Sequence, residues 1–435
     1  MFKDTFCSSP WFHLRVTYNG DFNPCRWQYN NADGTNLRDT HIMEFYNGTQ
    51  MRELRKELLE GKKPNRCNDC YYQDQHGKLS GRIKQLNKSG IRLDHFELST
   101  RSSPHYPQFL HSAQNDGISE YQPVDLQIDL GNTCNSACIM CSPVASTRLQ
   151  QDYKKLHRIN PVMFADPEDF TPWTRNPKLV DRLVNELLVI PNLRYIHFLG
   201  GETLYDPAFY SICERLITAG ISKNIIVGTT TNGTIYDQRV QDLISNFQEF
   251  HLGISIESVT DLNDYVRYPS KVSDICSNIQ KFLALRKNAG LHVSLRITPN
   301  VFTISSIDQL FQFMIDNQVS AESCNILTRP EYLRIELIPD DIRRDISQRL
   351  QSLIDQHQLE STNLVNIRRY DLVPEVIANL IIEYKTFIDS YQPLANAEEL
   401  RFRLVKFLKG FETLRANSII DYVPEYTDFL RHYGY

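Results

Sequence analysis

The residues best suited to chemistry lie in Leu130–Ser142, LGNTCNSACIMCS, where Cys134, Cys138 and Cys141 form a C-x3-C-x2-C run. Three thiolates with no fourth Cys or His nearby are the wrong number for structural zinc, which takes four ligands. They suit a 4Fe–4S cube with one iron lacking a protein ligand. That open corner can bind a small molecule and pass it an electron. Three packing cysteines are the competing reading, because thiols are among the most buried side chains. Placement of all three in one short loop favours the metal centre.

A second group is spread over the first seventy residues as Cys7, Cys25, Cys67 and Cys70. Cys7 precedes the apolar stretch Trp11–Val16, and Asn19-Gly20-Asp21 then turns the chain back towards Pro24-Cys25. An Asn-Gly pair between short strands predicts a hairpin, which would bring Cys7 towards Cys25. A helix over Met51–Glu60 is stopped by Gly61, with Pro64 beyond, and leads to the C-x2-C pair Cys67/Cys70. One strand-borne pair and one tight pair make a full tetrahedral set. From chemistry alone, zinc and iron–sulfur both remain open.

The elements that must hold the three-cysteine run alternate between strands and helices. Val124–Leu130 puts apolar Val124, Leu126, Ile128 and Leu130 against polar Asp125, Gln127 and Asp129. Ligands at the carboxyl end of such a strand suit a barrel, whose chemistry sits at strand C-termini. Further strands are predicted at Tyr195–Leu199, Asn224–Thr230, Phe250–Ser258, His292–Thr298 and Cys324–Leu327, with Tyr332–Ile338 extending or edging the sheet. Helices are predicted over Pro207–Ala219 and Ser273–Ala289, and then over the run after Pro339, over Pro374–Tyr391 and over Ala397–Arg415. The fold class is α/β: a partial (β/α)6 TIM-type barrel, a small N-terminal cysteine-rich α+β module and a helical C-terminal extension. The expected boundaries are 1–85 for the module, 86–122 for a polar linker or active-site cover, 123–339 for the barrel and 340–435 for the extension.

Taken in order, these features resemble the radical S-adenosylmethionine (SAM) enzymes, and the resemblance covers most of the chain. Cys134, Cys138 and Cys141 match the ligands of the SAM-binding 4Fe–4S cluster. Gly200-Gly201-Glu202, after the second barrel strand, matches the GGE motif that meets the methionine amine. Glycines allow close backbone approach, and a carboxylate pairs with an ammonium group. Ser255 and Glu257 fall where the family places ribose and methionine contacts, and both can accept from sugar hydroxyls. Arg267 resembles an arginine that pairs with the methionine carboxylate. Thr231 and Asn232 are placed in the same cleft, although an Asn-Gly turn needs no ligand. Met140 stands where the family often has an aromatic residue near adenine, and a thioether can pack on a π-face. Arg296 is a candidate substrate contact.

Cys7, Cys25, Cys67 and Cys70 resemble the ligands of a Twitch or SPASM auxiliary-cluster module, here placed before the barrel and not after it. The resemblance implies reductive cleavage of SAM to a 5′-deoxyadenosyl radical that takes hydrogen from a substrate. It also implies an auxiliary 4Fe–4S cluster and a flavodoxin- or ferredoxin-like electron donor. Relatives with such modules often modify peptides, so a peptide or protein residue is the expected substrate. The alternatives are a sugar, nucleotide or lipid intermediate, or a zinc-stapled binding protein without catalysis. No catalytic acid or base is assigned.

The net charge of −5 gives no reason to expect nucleic acid as the main partner. No apolar run approaches membrane-spanning length, and no signal peptide is recognised, so a reducing cytoplasmic setting is expected. Cys213, Cys276 and Cys324 have apolar neighbours and read as core. His13, His197 and His251 fall in strands, but no H-x3-H or HExxH pattern appears.

Overall fold

The computed structural model describes residues 5–26, 34–75, 80–93, 95–286, 290–321, 325–362 and 373–435. Its centre is a sheet of strands β1 (His13–Val16), β2 (Phe22–Asn23), β3 (Asp125–Asp129), β4 (Tyr195–Leu199), β5 (Ile226–Thr231), β6 (Glu249–Ser255) and β7 (Leu291–Arg296), in the order β2-β1-β3-β4-β5-β6-β7. Every pairing from β1 to β7 is parallel, and only β2 runs antiparallel, at the edge.

The strands follow their alternation. Phe250, Leu252 and Ile254 of β6 are buried in the main core, while Glu249, His251 and Ser255 stand half-buried on the inner face. Helices Pro207–Thr218, Gln238–Asn246 and Val272–Leu285 lie between successive strands, as parallel pairing requires. Inside the barrel, glycine makes room for polar side chains. A Cβ on Gly228 would collide with Tyr195 and His197, and one on Gly253 with Arg296.

Three sequence expectations are corrected. The strand expected at Cys324–Leu327 is not formed by Asn325–Leu327, and Cys324 lies outside the described residues. The sixth barrel position is marked instead by an isolated parallel bridge from Leu295 to Ala321. Tyr332–Ile338 holds two 3-10 turns, Glu331–Leu333 and Ile335–Leu337, because its apolar residues are buried without alternating. The stretch 86–122, expected as a linker with little core, carries helices Phe96–Ser102 and Tyr106–Gln114. Phe109 packs edge-on to Phe6 and Trp11, and the Trp11 indole donates to Ser112 Oγ at 2.9 Å. The polar composition hid these few aromatic anchors.

The N-terminal module is joined to the barrel through the sheet. His13–Val16 pairs in register with Asp125–Ile128, so the leading parallel strand comes from the N-terminal module. Fully buried Arg55, on helix Thr49–Leu59, ties this module together. It donates to the carbonyls of Pro10 and Gly117 and lies 4.4 Å over the Tyr46 ring. At the other end, helix Ala397–Arg415 packs on Thr147–Ile159 through Phe164, Phe407 and Phe411.

Candidate active site

The three-cysteine loop leaves β3 over a tightly packed turn. Gly131 has φ +139°, and a Cβ there would lie 2.7 Å from Pro172. Thr174 and Trp173 then donate to the carbonyls of Leu130 and Asp129 at 2.6 and 2.9 Å. Beyond the turn, the loop is held by backbone and side chains from distant parts of the chain. Ala137 and Ile139 donate their backbone N–H groups to Tyr268 and Val266. Ser146 donates to the Ser136 carbonyl, and Asn135 donates to Thr234 Oγ1. Arg415, at the end of helix Ala397–Arg415, donates to the Ala137 carbonyl at 2.6 Å and to Asp152 at 3.1 Å. Its guanidinium also stacks over Tyr268 and Phe411.

Gly200-Gly201-Glu202 lies against this loop. A Cβ on Gly201 would meet Thr133 O at 2.6 Å and the Asn132 carbonyl at 2.8 Å, so this glycine makes room for the cysteine loop itself. The same constraint is weaker at Gly200, whose nearest neighbour would be 3.4 Å away. Glu202 is 1% exposed, and its carboxylate accepts from Leu204 N, Thr231 Oγ1 and Asn232 N at 3.0, 2.7 and 2.5 Å. Burial raises its pKa against the pull of these donors. Three of its roughly four acceptor positions are therefore used inside the protein. Asn232 in turn donates to Asn135 and Ser136 at 2.7 and 3.0 Å. Thr231, Asn232 and Glu202 thus form a hydrogen-bonded strut between the ends of β4 and β5 and the cysteine loop.

Ser255 ends β6, whereas Glu257 lies beyond it in the turn, so the two do not share one strand face. Glu257 and Arg267 form one buried, bidentate ion pair, and the Arg267 Nη1 also points at Cys138 Sγ, 3.9 Å away. Burial lowers the Arg267 pKa, but the Glu257 carboxylate and the Cys138 and Cys141 thiols raise it further, so the guanidinium stays charged. Met140 is half-buried and packs on the main core. Arg296 ends β7 on the inner face, over Gly253. Cys213 is buried in the core and Cys276 is packed at its margin.

Burial pushes the Cys134 thiol up to about 11 and the Cys141 thiol to about 12, and Cys138 moves the same way. Mutual repulsion adds to the shift for Cys134 and Cys141, which places the sulfurs near one another. Ionising them here requires compensating positive charge, as a metal centre supplies. Cys7, Cys25, Cys67 and Cys70 are likewise brought together. Cys7 is raised by burial and by the other three, and Cys67 reaches about 12 through burial and the repulsion of Cys25 and Cys70. Arg82, which donates to Asp74 and to the Phe6 carbonyl, and Tyr71, which donates to Thr5 O, tie Cys67 and Cys70 to the segment bearing Cys7.

A single zinc ion bonded at about 2.3 Å would draw its thiolates to roughly 3.8 Å from one another. Among the described residues, no three cysteines bring their sulfurs within 4.8 Å, although another kind of ligand group does. By its chemistry, a donor set of four thiols in the N-terminal segment and three in the loop suits iron–sulfur ligation.

Sequence reasoning missed Arg415, Arg55, Asn135 and Ser146. Only the small polar residues flanking the cysteines hinted at the loop's internal bonds, and nothing in the chain signalled Arg415.

The model of the radical SAM superfamily matches residues 128–314, and the model of an iron–sulfur cluster-binding domain matches residues 7–71. No curated protein matches the chain. Solved structures similar to it include native anSMEcpe with bound AdoMet, at 17% identity and TM-score 0.36, covering 54% of this chain and 60% of that one. SuiB of Streptococcus suis bound to S-adenosylmethionine is 14% identical with TM-score 0.33, covering 81% and 71%. SuiB bound to precursor peptide SuiA gives 13% identity and TM-score 0.36, covering 82% and 70%. The match thus spans less than two thirds of anSMEcpe.

Proposed function

We infer, for a chain that belongs to the radical SAM superfamily and carries an iron–sulfur cluster-binding module before its barrel, that it abstracts hydrogen from a peptide or protein residue. A SAM-bound 4Fe–4S cluster supplies reductive cleavage of a sulfonium and hence a hydrogen-abstracting radical, chemistry that belongs to the cofactor. Cys134, Cys138 and Cys141 hold that cluster, and Cys7, Cys25, Cys67 and Cys70 hold the auxiliary one. The observation that carries this reading is the three-cysteine loop at the end of β3, pinned on every side and short of one ligand.

Around it, the chain's own residues orient and shield. Arg267 places a permanent cation beside Cys138, which favours the thiolate and stabilises added negative charge. Glu202, Ser255, Glu257, Met140, Thr231 and Asn232 would contact the bound SAM. Glu202, with one acceptor position not used inside the protein, would be the partner for the methionine ammonium. Glu257 and Arg267 meet the ribose and methionine carboxylate only by loosening their mutual pair. Arg296, at the end of β7 on the inner face, is the candidate substrate contact. A flavodoxin- or ferredoxin-like donor supplies the electron, since such clusters work near the low end of the roughly −700 to +450 mV span of iron–sulfur centres. The peptide assignment rests on the auxiliary module, which in related enzymes often accompanies peptide substrates.

The test is anaerobic. Reconstituted protein is given SAM and a strong reductant, and 5′-deoxyadenosine is followed by mass spectrometry. Replacing Cys134, Cys138 and Cys141 together by Ala is expected to abolish its formation. Continued formation would overturn the assignment. Turnover in a cell extract then identifies the modified molecule, and a small metabolite in place of a peptide would refute the substrate class.

A further inference from the structure

At the opposite end of the barrel from the cysteine loop, β6 and β7 begin with a cluster that the cofactor chemistry does not use. Glu249 and His251 are two residues apart on β6 and so share its inner face. His292 of β7 is paired directly with His251 across the ladder. The two imidazoles meet edge to face, with ring centroids 4.8 Å apart. His251 Nε2 lies 3.0 Å from Glu249 Oε2, and His292 Nε2 lies 3.4 Å from the same oxygen. All three ligand atoms fall within 4.8 Å of one another, and the Tyr195 ring walls one side of His251.

We propose that Glu249, His251 and His292 form a binding site for a divalent transition-metal ion, with zinc as the best fit. Metal–ligand bonds of about 2.0–2.1 Å in tetrahedral geometry put neighbouring ligand atoms roughly 3.3–3.4 Å apart. The carboxylate–imidazole separations of 3.0 and 3.4 Å need little adjustment to reach that spacing, and the imidazole nitrogens, within 4.8 Å of one another, would draw together on the ion. Two imidazoles and one carboxylate suit zinc and its first-row neighbours, whereas magnesium and calcium prefer an all-oxygen set. The side chains are 30%, 22% and 33% exposed for Glu249, His251 and His292, which leaves access for the ion and for a water as fourth ligand. All three sit on hydrogen-bonded strands, so the frame is rigid before the ion arrives.

The competing arrangement is purely internal, with Glu249 accepting from an N–H on each imidazole. The two differ in what occupies the Nε2 lone pairs, and metal binding displaces any proton there. From Glu249 to Ser255 is about 20 Å along the strand, at roughly 3.3 Å per residue. The ion would therefore not touch the SAM site. Its role would be to lock β6 to β7 beside the barrel's less complete edge.

The experiment uses the full chain with both clusters loaded, titrated with zinc chloride under anaerobic conditions and then desalted. Zinc and iron per chain are measured together, and zinc X-ray absorption reports the ligands. The expected result is one zinc in a purely N/O shell at about 2.0–2.1 Å, with no sulfur at 2.3 Å. His292→Asn and Glu249→Gln should each weaken zinc binding by at least roughly a hundredfold with iron content unchanged, since the loss of an outer-shell partner alone can cost about that much. No retained zinc, a sulfur-containing shell, or equal zinc affinity in wild type and both variants would each overturn the proposal. The absorption measurement on wild type stands even if a variant does not fold.

Discussion

Removing Arg267 alone should damage the protein more than removing Arg267 and Glu257 together. Glu257 is 2% exposed, and both of its carboxylate oxygens accept from Arg267. Arg267→Met therefore leaves a buried carboxylate without its cation, a change that costs about 3–5 kcal/mol where one member of a buried pair is deleted. Glu257→Gln is milder, because the guanidinium keeps its contact with Cys138 Sγ. The double variant Arg267→Met/Glu257→Gln removes both charges and should recover much of the loss. A coupling energy of about 2–3 kcal/mol is expected, near the top of the range for residues in contact. Urea midpoints of the four proteins under anaerobic conditions close the cycle. The cluster potential offers a second readout. Loss of the nearby cation makes reduction harder, so Arg267→Met should show a more negative midpoint, and the double variant, which also loses the opposing Glu257 charge, should recover part of it. Additive single effects would refute the ion-pair argument, and an unchanged potential would refute the electrostatic role towards Cys138.

Gly201→Ala forces a Cβ against backbone atoms of Asn132 and Thr133, so we expect a loss of about 1–3 kcal/mol and less iron per chain. Gly200→Ala, with ordinary contact distances, is the control, and equal iron retention in both variants would contradict the reasoning. Replacing Cys7, Cys25, Cys67 and Cys70 by Ser should remove about four irons per chain. Reductive SAM cleavage should persist in part, as measured by iron analysis and the paramagnetic resonance of the reduced protein. Burial, with Arg26 and Arg296 adding to it, pushes the half-buried His197 down to about 3. Its unfolded value is about 6.5, so between those values the unfolded chain binds more protons. The resulting stability is complete above about pH 6.5 and is lost as pH falls towards 3, amounting to at most about 2 kcal/mol at pH 5. The urea midpoint should fall from pH 7.5 to 5.0 in wild type and fall less in His197→Gln.

The sequence alone determined the features that depend on local order. Three cysteines within eight residues must share one loop whatever surrounds them, and the alternation in β4 and β6 requires a buried and a polar face. The helix Ala397–Arg415 was legible to its last residue, because its apolar stripe ends where the pattern does. Tertiary structure decided the rest, because long-range pairing leaves no periodic trace. The parallel pairing of His13–Val16 with β3 joins segments separated by over a hundred residues, including a stretch whose polar composition concealed Phe109. Glu257 and Arg267 read as separate ligand contacts until the turn after β6 folded one onto the other. Arg415 reaches Ala137 across 278 residues, and His251 meets His292 only because two strands pair in that register. Spacing within a loop is set by covalent geometry; which loops, strands and charges then meet is set by burial and backbone pairing across the whole chain.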